Sequence, residues 1–107
     1  MEKNIYVLNS AILAEFGKYE FRPLSIEEGK ELLKGGFVSA IGHPAISAFL
    51  SKLFGVEIPL NRIEVRLAPG EKAIVYKLNA RLPYGRELSV EELEKLPYLL
   101  GLLVRLE

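Results

Sequence analysis

Apolar and polar positions along the chain follow two periods, one typical of strands and one typical of helices. The β-branched and aromatic run at residues 5–8 predicts a short buried strand. Residues 19–24 predict a second strand, and Pro23 favours an edge position because proline cannot donate to a strand ladder. Residues 37–41 are strand-like or extended, and residues 11–16 could form a helical turn.

Two helices are predicted by the same start signal. Residues 25–28 and residues 89–92 both have the Ser-x-x-Glu pattern of a capping box, in which the serine and glutamate satisfy free amides of the first turn. The first of these helices should run to Lys34, before two glycines, and the second should stop at Pro97. Between them, the pattern predicts a central helix with a different beginning.

That central helix is expected to begin at Pro44, because proline is favoured at the first helical position. His43 then lies at or next to the N-cap. An apolar stripe continues to about Phe54, and Gly55 suits the C-terminal cap.

A hairpin is predicted in the following part of the chain. Residues 62–67 alternate with a period of two, residues 68–71 form a turn, and a returning strand should run from Ala73 to about Arg81. The apolar tail at residues 98–106 fits a strand or a helix. Together these elements predict an α+β fold, a single domain spanning residues 1–107 in which helices pack against a mixed β-sheet.

Composition limits the chemistry that the chain can perform. The 107 residues are 50% hydrophobic and 26% charged, which fits one globular domain. With no cysteine, one histidine and no aspartate, disulfides are excluded and few metal ligands remain, so we expect no metal and no cofactor. The beginning of the chain has no signal-peptide pattern, and no apolar run reaches the roughly 18 residues of a membrane helix. We therefore expect a cytoplasmic protein with no membrane partner.

Charge is unevenly distributed although the net charge is zero. Residues 35–86 hold seven basic and three acidic side chains, a local excess of +4. Such a field suits a compact anionic ligand better than duplex nucleic acid, which usually needs a broad basic face. Chance clustering on a solvated surface is the alternative interpretation.

The Gly42-His43-Pro44 sequence is the first candidate site. The N-terminus of a helix presents free amides and a positive dipole to an anion, and an imidazole there can donate a proton near neutral pH. The alternative is a histidine that only caps the helix.

Arginines supply the second candidate feature. Arg62 and Arg66 should share one face of the predicted strand, although Glu64 between them would also fit a surface ion-pair row. Arg81 lies beside a Pro-Tyr-Gly loop. Because a ribose 2′-hydroxyl can attack its own phosphodiester without a metal, one histidine and several arginines would suffice for such a reaction.

Several motifs of this chain resemble those of the viral anti-CRISPR ring nucleases, a family that also occurs in cells as an accessory of type III CRISPR systems. The resemblance covers about residues 37–96, and the end of the first strand matches more loosely. It implies an α+β homodimer that binds cyclic tetra-adenylate in a cleft at the subunit interface. It also implies metal-independent cleavage to linear di-adenylate carrying a 2′,3′-cyclic phosphate. The matching segments are Ser-Ala-Ile-Gly-His at 39–43, Asn-Arg-Ile-Glu-Val at 61–65, Pro-Gly-Glu at 69–71, Arg-Leu-Pro at 81–83, Gly85, Leu88 and Ser89.

The resemblance also implies roles for individual residues. His43 matches the family's general acid, and Arg81 matches the arginine that stabilises the transition state at the scissile phosphate. Asn9 and Ser10 would line the adenosine pocket, and Gly42 would let the phosphate approach. The remaining candidate ligand-binding residues are Arg62, Arg66 and Tyr84.

Tyr84 departs from the family pattern, because the family usually has a glutamate at this position. A tyrosine can donate a hydrogen bond or stack on adenine, but it cannot act as a carboxylate. Two functions therefore stay open: an enzyme that destroys the messenger and switches off type III CRISPR signalling, and a slow or non-catalytic binding protein that acts as a sponge or sensor. A structural or DNA-associated protein is a third alternative, disfavoured by the neutral charge and the absence of a basic helix.

Overall fold

The structure, a computed structural model, describes residues 5–9, 15–79 and 89–107. In these ranges the chain forms five strands and three helices in a single α+β unit, with a Cα radius of gyration of 13.6 Å. About 13 Å is expected for one domain of this length. In chain order the elements are β1 (Ile5–Leu8), β2 (Tyr19–Pro23), α1 (Ile26–Leu33), β3 (Val38–Ala40), α2 (Pro44–Phe54), β4 (Lys72–Leu78), α3 (Val90–Glu94) and β5 (Tyr98–Arg105).

The sheet is mixed, as the sequence predicts, and its strand order is β2-β5-β4-β1-β3. Strands β4, β1 and β3 run parallel to one another, whereas β5 runs antiparallel to both β4 and β2. Pro23 lies on β2 at the edge of the sheet, which confirms its expected position.

Side-chain caps and a left-handed glycine set the helix boundaries. The Ser25 hydroxyl accepts a hydrogen bond of 3.1 Å from the Glu28 amide, and α1 begins after it. Ser89 and Glu92 form the complete reciprocal capping box at α3. Helix α2 ends at Gly55, whose φ of 71° is readily adopted only by glycine. All three predicted helices are therefore confirmed.

The main core lies between one face of the sheet and the three helices. Buried leucines and phenylalanines of the helices contact alternate residues of β1, β4 and β5. These sheet residues follow the period of two that places every second side chain on one face. The fully buried members with the largest side chains are Tyr76, Phe54, Ile41, Leu50, Ile58, Ile74 and Leu93.

The predicted hairpin is wrong. Residues 61–68 form no strand, and β4 instead pairs with β1 on one edge and with β5 on the other. Because both edges of β4 are occupied, the preceding segment passes over the second face of the sheet, which is the face opposite the three helices. Its alternating apolar residues cover that face. Val65 and Leu67 pack on Ala73, Val75 and neighbouring residues. The turn itself is present, with the Glu71 amide donating to the Ala68 carbonyl at 2.9 Å.

The apolar tail forms β5, which resolves the choice between strand and helix. It pairs with β4 and β2, so its consecutive residues Leu102 and Leu103 are buried on opposite faces of the sheet. Strand β4 ends at Leu78, earlier than expected. Asn79 is not part of the strand, and the rest of the predicted continuation to Arg81 lies outside the described residues, as does most of the predicted helical turn at 11–16.

The Tyr76 hydroxyl is buried and has no hydrogen-bond partner among the described residues. Burial, and secondarily the neighbouring Tyr98, raises the pKa of Tyr76 above its ordinary value of 10.0. We expect Tyr76→Phe to raise the free energy of unfolding by about 1 kcal/mol, because it removes an unsatisfied polar group. Urea denaturation measures this change.

The pH dependence gives a second readout of the same variant. Above pH of about 10 the unfolded chain ionises Tyr76 while the folded protein resists ionisation, so wild-type stability falls as the pH rises. Tyr76→Phe should reduce this fall. Tyr19→Phe is the control, because the Tyr19 hydroxyl donates to the Glu15 carbonyl at 3.0 Å and its loss should not stabilise the fold. A destabilised Tyr76→Phe would contradict the prediction.

Candidate anion site at the N-terminus of helix α2

The candidate site lies at the edge where the parallel strands end. In the sheet register Leu8 of β1 is opposite both Ala40 of β3 and Val75 of β4. Asn9 follows β1 directly and is half-buried, and Gly42 follows β3 by two residues. Loops that follow parallel strands meet at this edge, which is where ligands of open α/β sheets commonly bind.

His43 is the N-cap residue of α2, but its side chain makes no capping hydrogen bond. Its backbone is extended, with φ −126° and ψ 125°, and the side chain is exposed. Histidine is not among the residues that cap helices well. The interpretation of His43 as a histidine that only caps the helix therefore loses its support, and the imidazole is available to a ligand.

Arg62 is held beside this helix terminus. Its Nε donates a hydrogen bond of 2.9 Å to the Gly42 carbonyl. That single bond uses one of the five guanidinium N–H groups, and the Nη nitrogens make no hydrogen bond within the described part of the chain. The remaining donors have the fork geometry that matches phosphate oxygens.

Among the described residues, the charge at this helix terminus is positive and has no acidic partner. The first turn of α2 contains no acidic residue, and no carboxylate of the described residues forms an ion pair with Arg62. A cation near a helix N-terminus is electrostatically unfavourable, because the helix dipole places positive charge there. An anion bound at this point would interact favourably with both the dipole and the guanidinium.

Gly42 leaves open space at the site. A Cβ atom added there would meet only the Arg62 Cγ, at 3.6 Å, an ordinary van der Waals distance. The backbone of Gly42 is also outside the positive-φ region in which glycine is favoured. Neither packing nor backbone conformation of the described residues therefore requires glycine at this position.

Three buried or half-buried serines fix the loop that carries Arg62, a role that the sequence analysis missed. Ser39 donates to the Pro59 carbonyl at 2.6 Å, and Ser47 donates to the Ile58 carbonyl. The Ser51 hydroxyl accepts from the Ile58 amide at 2.8 Å. The polar positions of Ser47 and Ser51, four apart within an apolar helix, were the available signal for such anchors.

Arg66 is not brought to the α2 terminus by any contact in the described ranges. It forms an ion pair of 3.5 Å with Glu64, and the two side chains are 64% and 71% exposed. This is the surface pairing that the alternative interpretation predicted, although the two residues do not lie on a strand. The ligand-binding role of Arg66 stays a prediction. Ser10, Arg81 and Tyr84 lie outside the described residues.

The described residues contain no group of three or more His, Cys, Asp or Glu side chains that could hold a metal ion. None of their helices has the length and apolar character needed to cross a bilayer.

The fold and the site define a class of small α+β protein with a mixed five-stranded sheet and a positively charged helix terminus at the strand ends. The sequence pattern of the STIV B116-like family matches residues 5–100. The chain therefore belongs to the STIV B116-like family.

Relatives occur in viruses and in a bacterium. Uncharacterized protein 26 of Sulfolobus islandicus filamentous virus (isolate Iceland/Hveragerdi) is 43% identical over 100 residues, covering 88% of this chain and 85% of the relative. Uncharacterized protein ORF117 of Acidianus two-tailed virus is 42% identical, covering 84% and 83%. Uncharacterized protein YddF of Bacillus subtilis (strain 168) is 37% identical over 106 residues, covering 96% and 98%.

A solved structure has the same fold. B116 of Sulfolobus turreted icosahedral virus superposes with a TM-score of 0.75 and covers 95% of this chain and 99% of its own. Its sequence identity to this chain is 23%, so the similarity concerns the fold alone.

We expect His43→Asn to raise the free energy of unfolding by about 1 kcal/mol, because asparagine is a good N-cap residue and the present side chain caps nothing. His43→Ala should change it by less than about 0.5 kcal/mol. Ser25→Ala is the control, because Ser25 does cap its helix and its loss should cost about 1 kcal/mol. Urea denaturation of the three variants measures this, and a cost at His43→Ala equal to that of Ser25→Ala would contradict it.

Proposed function

We propose that this protein is a metal-independent ring nuclease. It binds cyclic tetra-adenylate and cleaves it to linear di-adenylate with a 2′,3′-cyclic phosphate, which switches off type III CRISPR signalling in the cytoplasm. His43 is the general acid and Arg81 stabilises the transition state. The proposal rests on the motif resemblance together with the geometry at the α2 terminus.

One observation carries the proposal. The exposed imidazole of His43 lies at a helix N-terminus that also holds the Arg62 guanidinium, with no acidic residue in the first turn of the helix. This arrangement is unfavourable without a ligand and favourable around a phosphodiester. It supports an anionic ligand and provides a proton donor beside it.

The proposed reaction needs no metal and no water molecule as the nucleophile. The ribose 2′-oxygen attacks the adjacent phosphorus, and the bond from that phosphorus to the 5′-oxygen breaks. The phosphate becomes a 2′,3′-cyclic diester, and the departing 5′-oxygen takes a proton from His43. The proton of the 2′-hydroxyl passes to solvent, which later reprotonates the imidazole. Arginine stabilises the additional negative charge of the phosphorane.

A homodimer is part of the proposal. Two symmetric sites would cut a four-fold ring at opposite phosphates, giving two identical products. The second face of the sheet supports it, because all three helices pack on the other face. In the described residues this second face and its covering segment carry Phe21 and Ile63, which are 48% and 45% exposed. Sedimentation should give a dimer that binds one ring.

The second candidate function is ring capture without turnover, and Tyr84 favours it. The glutamate that the family usually has at this position is absent, and if that glutamate acts as the general base, its loss would slow the chemistry by about 10² or more. Binding through Arg62, Arg66, Asn9 and Ser10 would be less affected. A sponge or sensor would then hold the ring intact.

Incubation with cyclic tetra-adenylate in EDTA, at several ratios of protein to ring, tests the two functions. We expect multiple-turnover formation of linear di-adenylate, resolved by chromatography. His43→Asn should lower the rate by about 10² or more and keep the affinity within a few fold, because it removes the proton donor and keeps the cap.

Lys34→Ala at the end of α1 is the control for a surface substitution away from the site, because Lys34 pairs with Glu31 at 2.7 Å. Undiminished cleavage by His43→Asn would overturn the assignment of the general acid. Recovery of the intact ring from a tight wild-type complex would establish the binding protein instead of the enzyme.

Gly42→Ala tests the open space beside the helix terminus. We expect the free energy of unfolding to stay equal or rise by up to about 1 kcal/mol, because the added methyl group meets only the Arg62 Cγ. Affinity for cyclic tetra-adenylate should fall by about 10-fold, because the methyl group occupies the approach of a phosphate. Calorimetric titration measures it, with Gly35→Ala as control because a Cβ at Gly35 meets nothing. If Gly42→Ala bound the ring with unchanged affinity, Gly42 would not be part of the binding site.

A further inference from the structure

Asn61 joins the two sequence motifs that the candidate site brings together. Its side-chain Nδ2 donates a hydrogen bond of 2.7 Å to the Ser39 carbonyl, and its backbone amide donates one of 2.9 Å to the Ile41 carbonyl. The Ser39 side chain is buried and donates in turn to the loop at Pro59. The 61–65 motif is therefore attached to the 39–43 motif by both the backbone and the side chain of one residue.

The chain turns immediately after this attachment. A parallel bridge joins Leu60 to Ile41, and the Ile63 amide then donates to the Asn61 carbonyl at 3.1 Å. A hydrogen bond between residues two apart closes a γ-turn, and Arg62 is its central residue. Asn61 thus ends the bridge and directs Arg62 toward Gly42.

We propose that Asn61 is the positioning residue for Arg62, and that its side-chain hydrogen bond to Ser39 holds the guanidinium against the Gly42 carbonyl in the orientation that receives a phosphate. This deepens the proposed function and rests on it for the identity of the phosphate. The orientation of Arg62 itself is independent of any ligand.

The chemistry of the amide suits this position. The Ser39 carbonyl is an acceptor, and the Asn61 side chain supplies an N–H donor at 2.7 Å. Aspartate would place a carboxylate oxygen against that carbonyl and add a negative charge beside Arg62. Alanine would leave the backbone bridge and remove only the side-chain bond. Arg62 is exposed and makes one hydrogen bond, so little else in the described residues restrains it.

The first measurement needs no ligand. In nitrogen-15 relaxation experiments on wild type we expect the Arg62 Nε–H to be ordered and slow to exchange, because it is bonded to Gly42. In Asn61→Ala its order parameter should fall below about 0.6, the range of flexible groups. Ser51→Ala is the matched control, because Ser51 anchors the same loop at Ile58. Both variants should lower the melting temperature, and only Asn61→Ala should release Arg62.

The second measurement is affinity for cyclic tetra-adenylate. Asn61→Ala should weaken binding by about 10-fold, whereas Ser51→Ala should leave it within about two-fold. In an Arg62→Ala background, Asn61→Ala should weaken binding by less than a further factor of about two, because Asn61 acts on binding by positioning the Arg62 guanidinium. Full additivity of the two losses would show that Asn61 acts independently of Arg62.

The outcomes separate this inference from the proposed function. An Arg62 side chain equally ordered in wild type and Asn61→Ala would overturn the positioning role, whatever the ligand. A wild-type protein that does not bind the ring would overturn the proposed function, while release of Arg62 in Asn61→Ala would still support the positioning role. Equal effects of Asn61→Ala and Ser51→Ala on order and affinity would reduce Asn61 to a general loop anchor.

Discussion

The pairing of β4 on both of its edges is the constraint on which the rest of the structure depends. Residues 73–76 of this strand are fully buried, with neighbours β1 and β5 on either side and apolar layers on both faces. No edge is left for the segment that precedes it. That segment crosses the second face of the sheet. Hydrogen bonds from Asn61 to Ser39 and Ile41 anchor its start beside β3, and the bond from Arg62 to Gly42 fixes the place of the guanidinium.

The α2 terminus combines features that stability alone does not explain. The N-cap residue does not cap, the neighbouring glycine is required neither by described contacts nor by a positive φ, and a guanidinium lies at the positive end of the helix dipole. Each feature is neutral or unfavourable for an unliganded fold. Together they fit a bound anion, and His43 gives that site a group able to transfer a proton.

The two motifs that carry the family resemblance are separated by 17 residues in sequence and joined in space through hydrogen bonds. Asn61 bonds to Ser39 and Ile41, and Arg62 bonds to Gly42. The sequence pattern of each motif is therefore explained partly by the other.

Local sequence signals predicted the elements whose boundaries depend on interactions between residues close together in the chain. The caps at Ser25 and Ser89 and Pro44 at the start of α2 were predictable, because each depends on backbone donors within a few residues. The edge position of Pro23 was predictable because proline has no backbone N–H to donate to a second neighbouring strand.

Only the tertiary structure decided the partners of β4 and the path of residues 61–68. A period of two fits a paired strand and equally a segment packed across a sheet, and the choice depends on which edge of β4 is free. For the same reason the sequence named Arg62 as a candidate but not its bond to Gly42, nor the role of Asn61. Those contacts join residues about 20 apart in sequence. They depend on a fold in which both edges of β4 are paired.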